Sequence, residues 1–151
     1  MSLYLLLKFF HVVLAIIAIG FNASYPIWFA RAQREPEHAL WALRGIKTLD
    51  DRFANPAYGL LLVLGLAMTF MAGIPFTTFW IEAALVLYVL LIIGGGAFYS
   101  PTLKRQIAAL ESGGPTSPAY RTLSQRGSVI GILLSIDVVV IVFLMVVKPT
   151  L

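Results

Sequence analysis

SVIGILLSIDVVVIVFLMVV, residues 128 to 147, carries one charged side chain, Asp137, and its reading decides the fold. A run this long and this apolar matches the ~20 residues that a helix needs to cross the hydrocarbon core of a bilayer. Lipid offers no water to satisfy backbone N–H and C=O groups, so the segment must span as a closed helix. Lys148-Pro149 ends it, since proline and the residue before it resist further helix.

Working outward, three more runs of the same kind appear. The third goes from about Thr77 to Phe98 and stops at Ser100-Pro101. The second opens at Asn55-Pro56, where asparagine suits the helix cap and proline the first helical position, and reaches Ala72. The first extends from Leu3 to Ala30; Lys8 and His11 inside it favour a retained helix over a signal peptide, whose apolar region is uninterrupted. The expected spans are therefore about 3–30, 56–72, 77–98 and 128–147 of a single transmembrane domain covering 1–151. The fold class is all-α, an integral membrane four-helix bundle. Gly73-Ile74-Pro75 is short and uncharged, which predicts a tight hairpin between the second and third helices.

Composition agrees. Hydrophobic residues make up 60% of the chain and charged residues 12%, against roughly 45–50% and 25% in soluble domains. Without cysteine there is no disulfide framework and no thiolate metal site. The net charge of +4 is spread between the apolar runs rather than along one face, so nucleic acid is not an expected partner.

Instead the basic residues set topology. Arg31, Arg34, Arg44, Lys47 and Arg52 lie between the first two runs, and Lys104, Arg105, Arg121 and Arg126 between the last two. The positive-inside rule places both connections in the cytoplasm and both termini outside a bacterial-type inner (plasma) membrane. In the first connection Leu40, Leu43, Ile46, Leu49 and Phe53 alternate with Arg44, Lys47 and Asp50, which reads as an amphipathic interfacial helix. The second, Leu110 to Ser128, is rich in Gly, Ser and Pro and reads as a flexible connection. Gly20 and Pro26 in the first run match Gly95 and Pro101 in the third, which suggests a parallel repeat of two hairpins.

Ionisable groups inside a span cost roughly 2.5–3.5 kcal/mol each near its centre, so each calls for a partner or a purpose. The candidates are Lys8, His11, Glu82 and Asp137. Lys8, His11, Ala15, Ala18 and Asn22 share one stripe of the first helix. Counting depth at about 1.5 Å per residue puts Lys8 level with Glu82, as a candidate ion pair, and His11 near Asp137. His11 with Asp137 and Asn22 is then a candidate cofactor site, because a carboxylate fixes the tautomer of a ligating or proton-carrying imidazole. The alternative is that these groups only hold the bundle in register. Gly127, Gly131 and Ser135, and the triplet Gly94-Gly95-Gly96, are candidate helix-packing positions; a flat ligand beside the triplet is the other use. His38 reads as a solvated histidine beside Glu35 and Glu37.

Lys8-Phe9-Phe10-His11, the approach from Arg52 to Pro56, and Leu144-Met145-Val146-Val147-Lys148-Pro149 resemble a family of predicted integral membrane proteins defined by a domain of unknown function. The Lys-x-x-His opening and the helix pattern are also similar to HemJ-type protoporphyrinogen oxidases and, more distantly, to CopD-type copper-resistance proteins. The oxidase resemblance implies haem or porphyrin chemistry at a first-helix histidine, here His11, the expected metal ligand. In Trp80-Ile81-Glu82-Ala83-Ala84-Leu85, however, Glu82 stands where that family has histidine and Ala84 where it has lysine. The resemblance then implies the scaffold with a ligand at His11 rather than the oxidase reaction. Three functions follow as expectations: a haem- or metal-associated redox accessory protein; a non-catalytic subunit packed into a larger membrane complex or homo-oligomer within the lipid bilayer; or a carrier of ions or small solutes.

Overall fold

The computed structural model describes residues 2–149, which contain no strand. Six α-helices follow one another: α1 Leu3–Arg34, α2 Ala39–Leu49, α3 Asn55–Met71, α4 Phe79–Ile93, α5 Ser100–Gly113 and α6 Pro118–Val147. A π-helical turn at Asp50–Ala54 carries α2 into α3, and another at Gly94–Tyr99 carries α4 into α5. The result is four continuous rods, Leu3–Arg34, Pro36–Met71, Phe79–Gly113 and Pro118–Val147, each long and apolar enough to cross a membrane. The chain is an all-α integral membrane protein with four such helices.

The π turns explain why two prolines do not break the rods. Each turn ends two residues ahead of a proline, Pro56 or Pro101. Proline donates no N–H and its ring crowds the carbonyl four residues back; a turn widened to i→i+5 relieves both constraints. Helix therefore continues past Ser100-Pro101, contrary to the expectation that it stops there. Asn55, expected to begin a helix, is already helical (φ −62°, ψ −46°). Its side chain donates to Asp50 Oδ2 at 3.3 Å instead of capping. The stretch from Leu110 to Ser128 is likewise mostly helical: only residues 114–117 interrupt it, with Gly114 at φ +74° and the Ser117 hydroxyl accepting from the Tyr120 N–H to start α6.

At 30–36 residues, the rods extend about 45–54 Å at 1.5 Å per residue, well beyond the ~30 Å hydrocarbon core. Residues 72–78 join the second rod to the third at one end of the bundle, and the basic connections lie at the other. This is the basic end of the molecule.

α1 packs along α3, and α6 packs along α4 and α5, giving two halves. The tight hairpin expected at Gly73-Ile74-Pro75 does not form: no Cα of α3 comes within 8 Å of a Cα of α4. Two successive bends separate them, one with Gly73 at φ +63° and its N–H bonded to the Phe70 carbonyl, the next closed by Thr78 N–H on the Pro75 carbonyl. The halves meet at the basic end, where Tyr25, Leu43 and Ile46 pack with Tyr99, Leu103, Leu110 and Tyr120 in the main core. α2 turns Leu43 and Ile46 into this core, against α1 and α5. A second, smaller core of Ala18, Ala57 and Leu61 lies between α1 and α3 alone.

Candidate functional site among the membrane helices

His11 points from α1 toward α3. A Cβ placed on Gly65 would lie 3.2 Å from His11 Cε1 and 3.8 Å from Nδ1, so the glycine forms the shelf on which the imidazole rests. The Leu61 carbonyl, one turn earlier on α3, faces the ring. Nδ1 is nonetheless buried without a hydrogen-bond partner. The ring edge carrying Cε1 and the buried Nδ1 therefore lies against α3, beside Gly65.

Asn22, three turns further along the same stripe, is half-buried, and its side-chain amide donates to the Tyr58 hydroxyl at 2.6 Å. Tyr88 in α4 donates its hydroxyl to the Tyr58 carbonyl, and the two rings stand edge to face with centroids 6.5 Å apart. Asn22, Tyr58 and Tyr88 thus form a polar bridge from α1 through α3 to α4. Asp137 is half-buried on α6, with Oδ2 buried and lacking a partner. It makes no hydrogen bond to His11. Lys8 and Glu82 are both exposed and do not pair; the ion pairs among the described residues are Arg44 with Glu111 and Lys47 with Asp51.

The small residues divide. A Cβ on Gly127 would meet Gln106 Oε1 at 3.6 Å and Thr102 Cγ2 at 3.8 Å, and one on Gly131 would meet Tyr99 Cε2 at 3.7 Å, so both lie at α6 contacts. Gly94 is tighter, its Cβ position only 2.6 Å from Leu134 Cδ2. Gly95 and Gly96 have nothing within 4 Å. Ser135 is exposed and donates back to the Gly131 carbonyl at 2.8 Å, within its own helix. All three glycines lie within the π turn, and Gly94 alone makes a close contact.

Several polar groups were not singled out by sequence. Asp50 is only 7% exposed, although its grouping with Arg44 and Lys47 suggested a solvated face. Burial pushes its carboxyl above the usual carboxylate range, against the opposing pull of Lys47. The available signal was its spacing, since Asp50 falls two turns after Leu43 on the same face. Tyr25 and Gln106 are also buried in the main core, with Tyr25 Oη and both Gln106 side-chain heteroatoms lacking partners. Nothing in their local patterns distinguished them from surface residues of an amphipathic helix.

Four membrane-crossing rods in two halves, joined at one end and carrying polar groups between apolar faces, define a small multi-pass integral membrane protein. The profile of the predicted integral membrane protein family DUF2269 matches residues 5–149, and the chain belongs to that family. No curated protein and no solved structure matches it.

Proposed function

We propose that the protein holds a haem-type ligand at His11 and serves as a redox-associated membrane component. The half-buried imidazole of His11, set against the Gly65 shelf on α3, carries this reading. A bare metal ion held by protein ligands alone does not fit, because no group of three His, Cys, Asp or Glu side chains gathers among the described residues. A haem brings its own ring of nitrogen donors and asks the protein for as little as one imidazole, which this donor set can supply. When bound, a haem supplies one-electron chemistry. His11 would hold it, the α3 backbone at Leu61 would fix the orientation of the ring, and Gly65 would leave room for the imidazole between the helices. The resemblance of the Lys-x-x-His opening to haem-linked membrane proteins supports the same assignment.

The test is a visible spectrum with metal analysis on protein purified in mild detergent. A stoichiometric Soret band is expected, lost in His11→Ala and restored by added imidazole. A colourless protein from haem-replete cells, or a full Soret band in His11→Ala, would remove the assignment. A second reading, a proton or cation carrier, is favoured by the partnerless Asp137 Oδ2. Under it, proteoliposomes should show an ion flux that Asp137→Asn abolishes, with no dependence on haem.

A further inference from the structure

A cleft of about 370 Å³ opens at the basic end where α1 passes into α2, and Trp28, Arg31, Glu35, His38 and Trp41 line it. Its floor recedes because the residues there are small, Ala32 at 3% exposure and Ala42 at 4%. Trp28 and Trp41 form one wall, edge to face with centroids 5.6 Å apart. Indole rings concentrate at the level of lipid headgroups, where one edge is apolar and the other wet. Arg31 lies in the last turn of α1 and Glu35 just beyond its end, with non-helical backbone (φ −124°, ψ 73°), and the two form no ion pair. One cleft therefore presents a separate guanidinium and carboxylate beside two aromatic faces.

We propose that this cleft binds the headgroup of a zwitterionic aminophospholipid, a phosphodiester bearing a primary ammonium. Arg31 takes the phosphate, for which the planar guanidinium is suited as a bidentate donor. Glu35 takes the ammonium, and the Trp28 and Trp41 faces add cation–π attraction. A purely anionic headgroup satisfies Arg31 and leaves the Glu35 carboxylate opposed to it; a choline headgroup cannot donate a hydrogen bond to Glu35 from its ammonium. Position agrees with this occupant, since Trp28 and Arg31 lie where the expected first span gives way to the basic connection.

The full chain carrying Trp80→Phe, so that emission comes from Trp28 and Trp41, is placed in phosphatidylcholine vesicles containing a minor share of brominated lipid. Brominated phosphatidylethanolamine is expected to quench in preference to brominated phosphatidylcholine, with a relative affinity of about tenfold, or 1.4 kcal/mol. Glu35→Gln should erase that preference while the chain still inserts, and Arg31→Ala should remove selective quenching by every headgroup. Equal quenching by the two lipids, or stronger quenching by brominated phosphatidylglycerol, overturns the proposal. So does selectivity unchanged in Glu35→Gln. If phosphoethanolamine in solution perturbs Trp28 and Trp41 while brominated phosphatidylethanolamine does not quench selectively, the occupant is a soluble molecule and the lipid assignment fails.

Discussion

At the basic end the two halves of the chain share one core, whereas along the spans they touch at few points, the Tyr58–Tyr88 contact between α3 and α4 among them. Leu43, Ile46, Leu103 and Gln106 are all less than 2% exposed at the first location, and both halves contribute to that core. Along the spans, Leu60, Val63, Val86, Val89, Leu133 and Val139 are each more than half exposed. Water accounts for the contrast. Outside the hydrocarbon, burying apolar surface is worth about 25 cal/mol per Å². Inside it, lipid tails are as apolar as leucine, and helices associate only where shapes fit closely or polar groups bond. The halves share a core where the hydrophobic effect operates; elsewhere the Asn22–Tyr58–Tyr88 bridge links them through hydrogen bonds, while Asp137 Oδ2 has no partner.

The strongest way to break this comparison is to remove one core side chain at each location. Leu103→Ala should destabilise the fold by about 2–5 kcal/mol, as buried leucine truncations do. Leu133→Ala, at a position 61% exposed toward lipid, should shift stability by no more than about 0.5 kcal/mol, as substitutions away from the core do. Unfolding of both variants in mixed detergent micelles checks the pair. A comparable loss in both would show that the spans are as tightly packed as the basic end.

A second pair sharpens the account of the glycine triplet. Gly94→Val must displace Leu134, whose Cδ2 is 2.6 Å from the new Cβ, and should cost about 1–3 kcal/mol as overpacking does. Gly95→Ala meets nothing within 4 Å and should be neutral or stabilising by up to about 1 kcal/mol, the propensity difference between the residues. Thermal stability in detergent separates them. Equal losses would mean that the whole π turn, rather than the α4–α6 contact at Gly94, requires glycine.

What sequence made legible follows from the same division. Four apolar runs define four rods, because lipid imposes one rule on each run separately. Helix ends were less readable. Asn55-Pro56 is a strong start signal and Ser100-Pro101 a strong stop signal locally, yet two π turns carry helix through both. Depth counting brought Lys8 level with Glu82, and His11 with Asp137, but depth says nothing of azimuth or of how far the halves diverge. His11 faces Gly65 on α3, while Lys8 and Glu82 are exposed on different halves. Asn22 bonds to Tyr58, a partner that could be identified only once α1 and α3 were seen side by side.

The smallest effect tests whether charge or apolar packing joins the halves at the basic end. Arg44 in α2 donates to Glu111 Oε1 in α5 at 2.6 Å, directly across the junction. Both side chains are well exposed, at 62% and 42%, so solvent screens the pair and its expected worth is only about 0.2–1 kcal/mol. Arg44→Ala should therefore lower stability by a few tenths of a kcal/mol, and raising ionic strength should erase even that difference, since screening acts on exposed pairs first. The loss would be several-fold smaller than that from Leu103→Ala at the same junction. A loss as large as that of Leu103→Ala, and insensitive to salt, would instead make the Arg44–Glu111 pair the clasp of the two halves and reduce the buried leucines to filling around it.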